Sequence, residues 1–555
     1  MKPAILSFLP ALCLVIYSCN NERTGPSENA IEAINLKKGD LIWCGPQTAN
    51  FGSVHFLVTA SPEVRKQFDQ AIAILHSFEY IEAEKAFANI IRYDPSCAMA
   101  YWGVAMSNFH PLWEPPSEDE LEKGAKAINI ARALKNKTDR ETNYIEAIAS
   151  YYDGWKNLDH KTRCRNYEKA MLDLYKKYPQ DKEAAIFYAL ALNTTADPTD
   201  KSYANQKKAG EILQQLYTEQ PDHPGIIHYI IHNYDNPDLA IMALPAARKY
   251  ASIAPASAHA QHMPSHIFVR LGLWDEAISS NIASINAAKC YAEKATLSGN
   301  FDEELHGLDY LVYAYLQKGD RERAAQQWQY IRGIKQVSAQ NTKVAYAFAA
   351  IPSRCVLENK QWNEAANLTL YPENFPWDKF PWQQGIVVFT RLLGKVKTGN
   401  VNSAVEELNT LKKLQKILVS QKDAYKAKQL EVQVLGGEAW IESTRGNKAN
   451  ALQLMKHAAD LEDATEKHPV TPGEVLPARE LLADMLMQNG EPSEALQVYQ
   501  ESLARHTNRL NGLLGAATAA EACGKVTEAK DYRRKIAALT GQPIAALHTG
   551  SSLTQ

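Results

Sequence analysis

The sequence predicts an all-α fold, built as a solenoid of stacked helix pairs. Three observations carry that prediction. Apolar residues recur at helical rather than alternating spacing, strand-like runs are nearly absent, and a small residue followed four places later by an aromatic recurs along the chain, with Gly or Asp-Pro between the copies. At 555 residues, 45% hydrophobic and 22% charged, the chain has ample apolar surface for a core, and its length suits several domains or one long array. The 60 basic and 63 acidic residues are mixed along it, for a net charge of −3. No basic block or stripe stands out, which argues against nucleic acid as a partner.

Residues 1–18 read as a signal peptide. Lys2 precedes the apolar run "AILSFLPALCLVIY", which is too short to span a bilayer comfortably. The junction "IYSC", Ile16 to Cys19, resembles a bacterial lipobox, which implies cleavage before Cys19 and lipid attachment to it. The polar tract "NNERTGPSEN" that follows suits a flexible tether, so residues 19–45 are expected to link a lipidated Cys19 to the folded body. The expected location is outside the bacterial cytoplasm, lipid-anchored, periplasmic or at the cell surface, with the membrane touched through the anchor only. The six later cysteines (Cys44, Cys97, Cys164, Cys290, Cys355 and Cys523) are widely spaced and never form C-x-x-C. They predict buried lone thiols rather than a disulfide framework.

The repeats occupy most of residues 62–540. In "EAEKAFANIIRYDPSCAMAYWGVAM", Ala83, Phe87 and Pro95 fall at offsets of four and twelve, followed by Tyr101 and Ala105. "PSEALQVYQESL" repeats the spacing at Ala495 and Tyr499, and Ala529 in "VTEAKDY" follows Ala495 by 34 residues. Further units centre on Ala277, on Ala324 with Trp328, and on Ala365. These patterns resemble the tetratricopeptide repeat superfamily, as found in exported bacterial repeat lipoproteins. The resemblance implies a right-handed superhelix of antiparallel helix pairs with a concave inner face. We divide it into N-terminal repeats over 46–320 with a histidine-lined groove, C-terminal repeats over 321–540, and a tail over 541–555.

In that family the small residue opening the second helix stands twentieth in the repeat, and first-helix positions line the groove. Counting back from Ala277 puts His259, His262 and His266 second, fifth and ninth, with Arg270 thirteenth. From Ala246, His228 is second, His232 sixth and Asp235 ninth; from Ala324, His306 is second and Asp309 fifth. "MPSH" at 263–266 is echoed by "IPSR" at 351–354, which adds Arg354, and Pro264 and Pro352 should each bend a first helix.

Seven of the fifteen histidines lie between His223 and His306, and His228 with His232 forms an i, i+4 pair. Imidazoles at that spacing form a two-ligand platform, and His259, His262, His266 and His306 can complete a site for zinc, copper, nickel or iron. Asp235 and Asp309 are candidate ligands or ring-orienting carboxylates. Three functions remain open at this point. The groove binds a transition metal ion or holds a ligand through one. It is a metal-dependent hydrolase or oxygenase using Asp309 with Arg270 or Arg354. Or it is a metal-free scaffold whose imidazoles and arginines clamp a peptide, protein or anionic small molecule. A lone histidine such as His76, His110, His160 or His457 reads as structural, and His223, before Pro224, reads as a helix-entry residue. "YPENFPWDKFPW" (371–382) reads as a packed loop. No phosphate-binding glycine loop, H-E-x-x-H or nucleophile elbow is present.

Overall fold

A computed structural model describes residues 25–45, 51–112 and 115–542. Residues 1–18, read above as a signal peptide, Cys19 and most of residues 541–555 lie outside these residues. Among the described residues the secondary structure is α-helix, one 3₁₀ turn and a single isolated bridge between Asn300 and Val337. From Pro62 onward the helices follow one another as twelve antiparallel hairpins, the last being Leu510–Ala522 with Val526–Thr540. No described helix is long and apolar enough to cross a membrane.

The small residues set this pairing. Ala83, Ala277, Ala324, Ala365, Ala495 and Ala529 each stand fourth in a second helix and are buried, where a larger side chain would hold the paired helices apart. The hairpin of Pro224–Asn233 and Ala240–Ile253 corrects the sequence register. Its fourth residue is Ala243, fully buried, and Ala246 lies one turn further on. The first-helix count therefore moves by three, making His228 fifth and His232 ninth. Those are the places of His262 and His266, and each pair is 34 residues apart.

First and second helices differ in burial. Asp302–Gln317 and Thr342–Glu358 are buried over almost their whole length, whereas Arg321–Gly333 buries only Ala324 and Ile331. The expected open concave face is instead closed, because distant hairpins pack across it. Pro62–His76 lies against Pro224–Asn233, and Asp302–Gln317 against Leu510–Ala522. Trp274 Nε1 donates to the Asn508 carbonyl at 3.0 Å, and Arg509 bridges Glu358 at 2.7 Å and Glu480 at 2.8 Å. Gly272 (φ 64°) sits at this closure, where a Cβ would lie 2.5 Å from the Thr507 carbonyl oxygen.

Two further expectations change. Residues 25–45 are packed on the body rather than forming a loose tether. Ile34 is buried, and the Lys37 and Ile42 amides donate to Glu84 and Glu82, each at 2.8 Å. Cys44 and Cys290 form a disulfide that ties this segment to the helix Trp274–Lys294. The pairing closes a separation of 246 residues, a proximity that spacing along the chain does not reveal. Cys97, Cys164 and Cys355 are buried free thiols and Cys523 is half-buried. The loop after Ala366 packs as expected, with Phe375, Trp377 and Trp382 buried.

Candidate metal centre

Three successive hairpins deliver the histidines. Pro224–Asn233 carries His228 and His232 one turn apart; Ala258–His262 and Pro264–Arg270 carry His259, His262 and His266; Asp302–Gln317 carries His306. Pro264, which lacks an N–H, divides the middle helix into two short pieces. Pro352 lies within a continuous helix.

The six rings form two groups of three, His228–His232–His259 and His262–His266–His306, each with one ligand atom per residue and all three atoms within 4.8 Å of one another. The groups follow one rule. Places five and nine of one repeat are joined by place two of the next, so the second triad is the first carried one repeat along the array. Five of the rings are buried and His232 is partly exposed.

Proton positions follow from the partners. His228 Nδ1 lies 2.6 Å from the His76 carbonyl and His266 Nδ1 lies 2.9 Å from Asp235 Oδ2, both acceptors only. His262 Nδ1 lies 2.7 Å from Asn281 Oδ1, whose amide is oriented by Nδ2 donating to the Ala277 carbonyl. In all three rings Nδ1 carries the proton and Nε2 presents a lone pair inward. His262 Nε2 and His266 Nε2 then face each other at 3.1 Å with no hydrogen between them. His228 Nε2 lies 2.9 Å from His232 Nε2 and 3.1 Å from His259 Nε2. Nitrogens bound at about 2.0 to 2.1 Å to one tetrahedral ion stand roughly 3.3 Å apart. The spacing suits a shared cation, and between His262 and His266, whose protons are both committed at Nδ1, it is unfavourable for bare lone pairs.

The electrostatics agree with neutral rings. Burial pulls the pKa of His228 down to about 3, against the hydrogen bond to the His76 carbonyl, which raises it. Burial, reinforced by neighbouring imidazoles, pulls His232, His259, His262 and His306 well below the usual value; burial also lowers His266, against the opposing pull of Asp235. Burial pushes the Asp235 carboxyl up, but Lys467, Arg270 and His266 outweigh it and hold the group well below the usual range. Lys467 Nζ lies 2.8 Å from Asp235 Oδ2 and Arg270 Nε 2.9 Å from Oδ1.

The other predicted site residues are placed differently. Asp235 orients His266 rather than joining either triad. Arg270 is spent on the Asp235 side chain and carbonyl, with Glu466 at 3.8 Å. Arg354 donates to the Gly473 and Glu474 carbonyls at 2.8 and 2.9 Å and stands 3.4 Å from Asp309; neither Arg354 nor Asp309 belongs to a triad. Burial pushes the Asp309 carboxyl up to about 6 against the pull of Arg354. These two arginines are structural cations, not a free anion clamp.

Four participants escape a reading of histidine spacing: the His76 carbonyl, Asn281, Lys467 and Tyr310. Tyr310 OH is 3.4 Å from both nitrogens of His266, and its ring meets His262 edge-on at 4.6 Å. Its position four residues after His306, on the same helix face, was the available signal. A cavity of about 540 Å³, lined in part by His232, Asp235, Tyr203, Tyr425, Lys467 and His468, reaches the partly exposed edge of the first triad.

A third buried group, His76–Glu183–His223, lies next to the first triad. His223 Nε2 donates to Glu183 Oε1 at 2.8 Å, and its Nδ1 accepts the Ile226 amide as a helix cap, as its place before Pro224 predicts. His76 Nε2 lies 3.0 Å from Glu183 Oε2 and its Nδ1 2.8 Å from Tyr229 OH. Gly225 makes room, since a Cβ there would lie 2.6 Å from His76 Nδ1.

No family model matches the chain, and no curated protein matches it. Among solved structures it is similar to the human IFIT1 dimer with PPP-AAAA, at 11% identity over 84% of this chain and 95% of that one, with a TM-score of 0.36. It is also similar to Naa15/Naa10 bound to HypK-THB, at 14% identity over 85% and 70% of the two chains with a TM-score of 0.21. The TPR domain of P58(IPK) matches at 11% identity over 84% and 99%, with a TM-score of 0.20. Likenesses at this level carry no residue or ligand across to this chain. Its character as a tetratricopeptide-like helical repeat is visible in its own twelve hairpins, their fourth-place alanines and the 34-residue step from His228 to His262 and from His232 to His266.

Proposed function

We propose that the protein is an exported, lipid-anchored helical-repeat protein that holds transition metal ions in its histidine cluster, one in each triad. The observation that carries this reading is the pair of inward Nε2 lone pairs of His262 and His266, 3.1 Å apart beside His306, each fixed by a proton committed to Asn281 or Asp235. Two such buried lone pairs repel unless a proton or a metal ion lies between them, and burial resists the proton. Export is supported by the targeting pattern that ends at Cys19 and by the Cys44–Cys290 disulfide, which suits an oxidising compartment. The anion-clamp reading loses support because Arg270 and Arg354 are engaged within the fold.

A second reading is favoured by the cavity. Because it reaches His232, an ion in the first triad has a route to small molecules, as a metal-dependent enzyme requires. Elemental analysis of protein purified without an affinity tag tests the shared premise. The expected content is one ion per triad, two per chain, and near-complete loss in a variant with His228, His259 and His262 changed to alanine. A metal-free wild type whose melting temperature ignores added zinc and copper rejects both readings.

A further inference from the structure

The donor set and the charges around it together narrow the metal. The two triads offer six imidazoles and neither a thiolate nor a carboxylate. Imidazole suits zinc, copper, iron and nickel, whereas magnesium, calcium and manganese prefer oxygen ligands. Six neutral rings bring no negative charge to offset the ions. The acidic side chains beside His266 do not supply it either, since Asp235 and Glu466 are already matched by Arg270, Lys467 and Lys201. Lys343, which acts on His259, His262 and His306, is likewise paired with Asp302 and Glu303, so two dications would add four positive charges to a pocket whose fixed neighbours bring no net negative charge to offset them.

The cost of burying an ion rises with the square of its charge, so a monocation carries about a quarter of the desolvation cost of a dication of similar size. Copper is the one member of the imidazole-binding group with a stable monovalent ion. The repeat geometry supplies three rings per site, twice, with His228 and His232 each 34 residues before His262 and His266, and His259 47 residues before His306. Resting on the metal-site reading above, we infer that the occupants are a pair of cuprous ions, one in each all-imidazole triad, reached through the cavity at His232.

The test uses the full chain, stripped of metal by chelator dialysis and handled without oxygen. Cuprous ion is added as its acetonitrile complex with ascorbate present, zinc(II) is added to a parallel sample, and both are passed over a desalting column with a competing chromogenic chelator. The expected result is two cuprous ions retained per chain and zinc released, or displaced when equimolar cuprous ion is added. Copper X-ray absorption should then show three nitrogen neighbours and a cuprous edge. Zinc retained at two per chain and not displaced overturns the cuprous assignment while leaving the metal-site reading intact. Retention of neither metal overturns both. Lys467→Leu, which removes one fixed cation outside the ligand set without adding a sulfur ligand, should narrow the preference for copper over zinc at least several-fold; an unchanged preference in a folded variant contradicts the charge argument.

Discussion

Two buried groups of histidines lie side by side in this molecule, and they handle their protons in opposite ways. In His76–Glu183–His223 every ring nitrogen has a protein partner: two N–H groups meet one carboxylate, one Nδ1 accepts a backbone amide and the other meets a tyrosine hydroxyl. In the six-histidine cluster the protons of His228, His262 and His266 are drawn outward to the His76 carbonyl, Asn281 and Asp235, leaving nitrogen facing nitrogen inside. All three triads satisfy a distance criterion for a metal. The destination of each proton separates a finished structural knot from a site that needs a cation. The two are joined through His76, whose ring belongs to the knot and whose carbonyl sets the tautomer of His228.

The largest expected contrast is in metal-linked stability. Saturation at a thousandfold above the dissociation constant should stabilise the fold by about 4 kcal/mol per occupied site. A thermal or denaturant titration should show this gain in the wild type and in Glu183→Gln, and lose it in the triple-alanine variant. If the gain disappears in Glu183→Gln, the knot is part of the metal site and the distinction fails.

Without metal, the ranking should invert. Burial pushes the Glu183 carboxyl up, but His223 and His76 outweigh it and hold the group well below the usual range. Removing that charge leaves two buried N–H groups with a poorer acceptor, and Glu183→Gln should cost about 3 kcal/mol in urea unfolding. His262→Ala in the metal-free protein relieves a repulsion as it opens a cavity, so it should cost less than Glu183→Gln. A larger loss for His262→Ala would show that the facing lone pairs are not repulsive.

A smaller effect should come from the orienting groups. Asn281→Leu frees the Nδ1 proton of His262 and should weaken metal binding at the second triad by about 10- to 100-fold while leaving the first unchanged. Competition with a chelator would reveal two separated affinities; a uniform loss at both sites would mean the triads are not independent copies.

The remaining contrast, of similar size to that of the orienting groups, is in pH dependence. An unfolded histidine takes up a proton as pH falls below about 6.5, whereas native His228 stays neutral down to about 3. The unfolded chain therefore binds more protons in that window. The stability contributed by this ring is fully present above about pH 6.5 and falls on acidification by up to about 1.4 kcal/mol per pH unit. In metal-free protein, His228→Leu should flatten the stability–pH curve by that amount between pH 6 and 4. An unchanged slope would show that His228 is charged in the native state.

Much of this architecture is legible in the sequence. Ala277, Ala324 and Ala495 announce the paired helices because close helix packing demands a small residue at one place per hairpin. The clustering of His228, His232, His259, His262, His266 and His306 follows from the same register. The repeat beginning at Pro224 is ambiguous because "LAIMALPAARKY" offers both Ala243 and Ala246. The 34-residue step from His228 to His262 and from His232 to His266 resolves it. The closure of the inner face is not legible, since it depends on contacts between residues more than two hundred positions apart, such as Asp235 with Lys467 and Gly272 with Asn508. The same distance hides the Cys44–Cys290 pairing, and the diversion of Arg270 to Asp235 and of Arg354 to the Gly473 and Glu474 carbonyls is equally unmarked by any motif. His76, which reads as an isolated structural histidine, keeps that role yet also fixes a ring of the cluster through its backbone.

Anomalous diffraction at the absorption edge of the bound metal, from crystals of the metal-loaded full chain, tests the central claim most directly. Two peaks are expected, one bounded by His228, His232 and His259 and one by His262, His266 and His306, each about 2 Å from its nitrogens, with none at His76–Glu183–His223. Empty triads, or a peak at the knot, would contradict it.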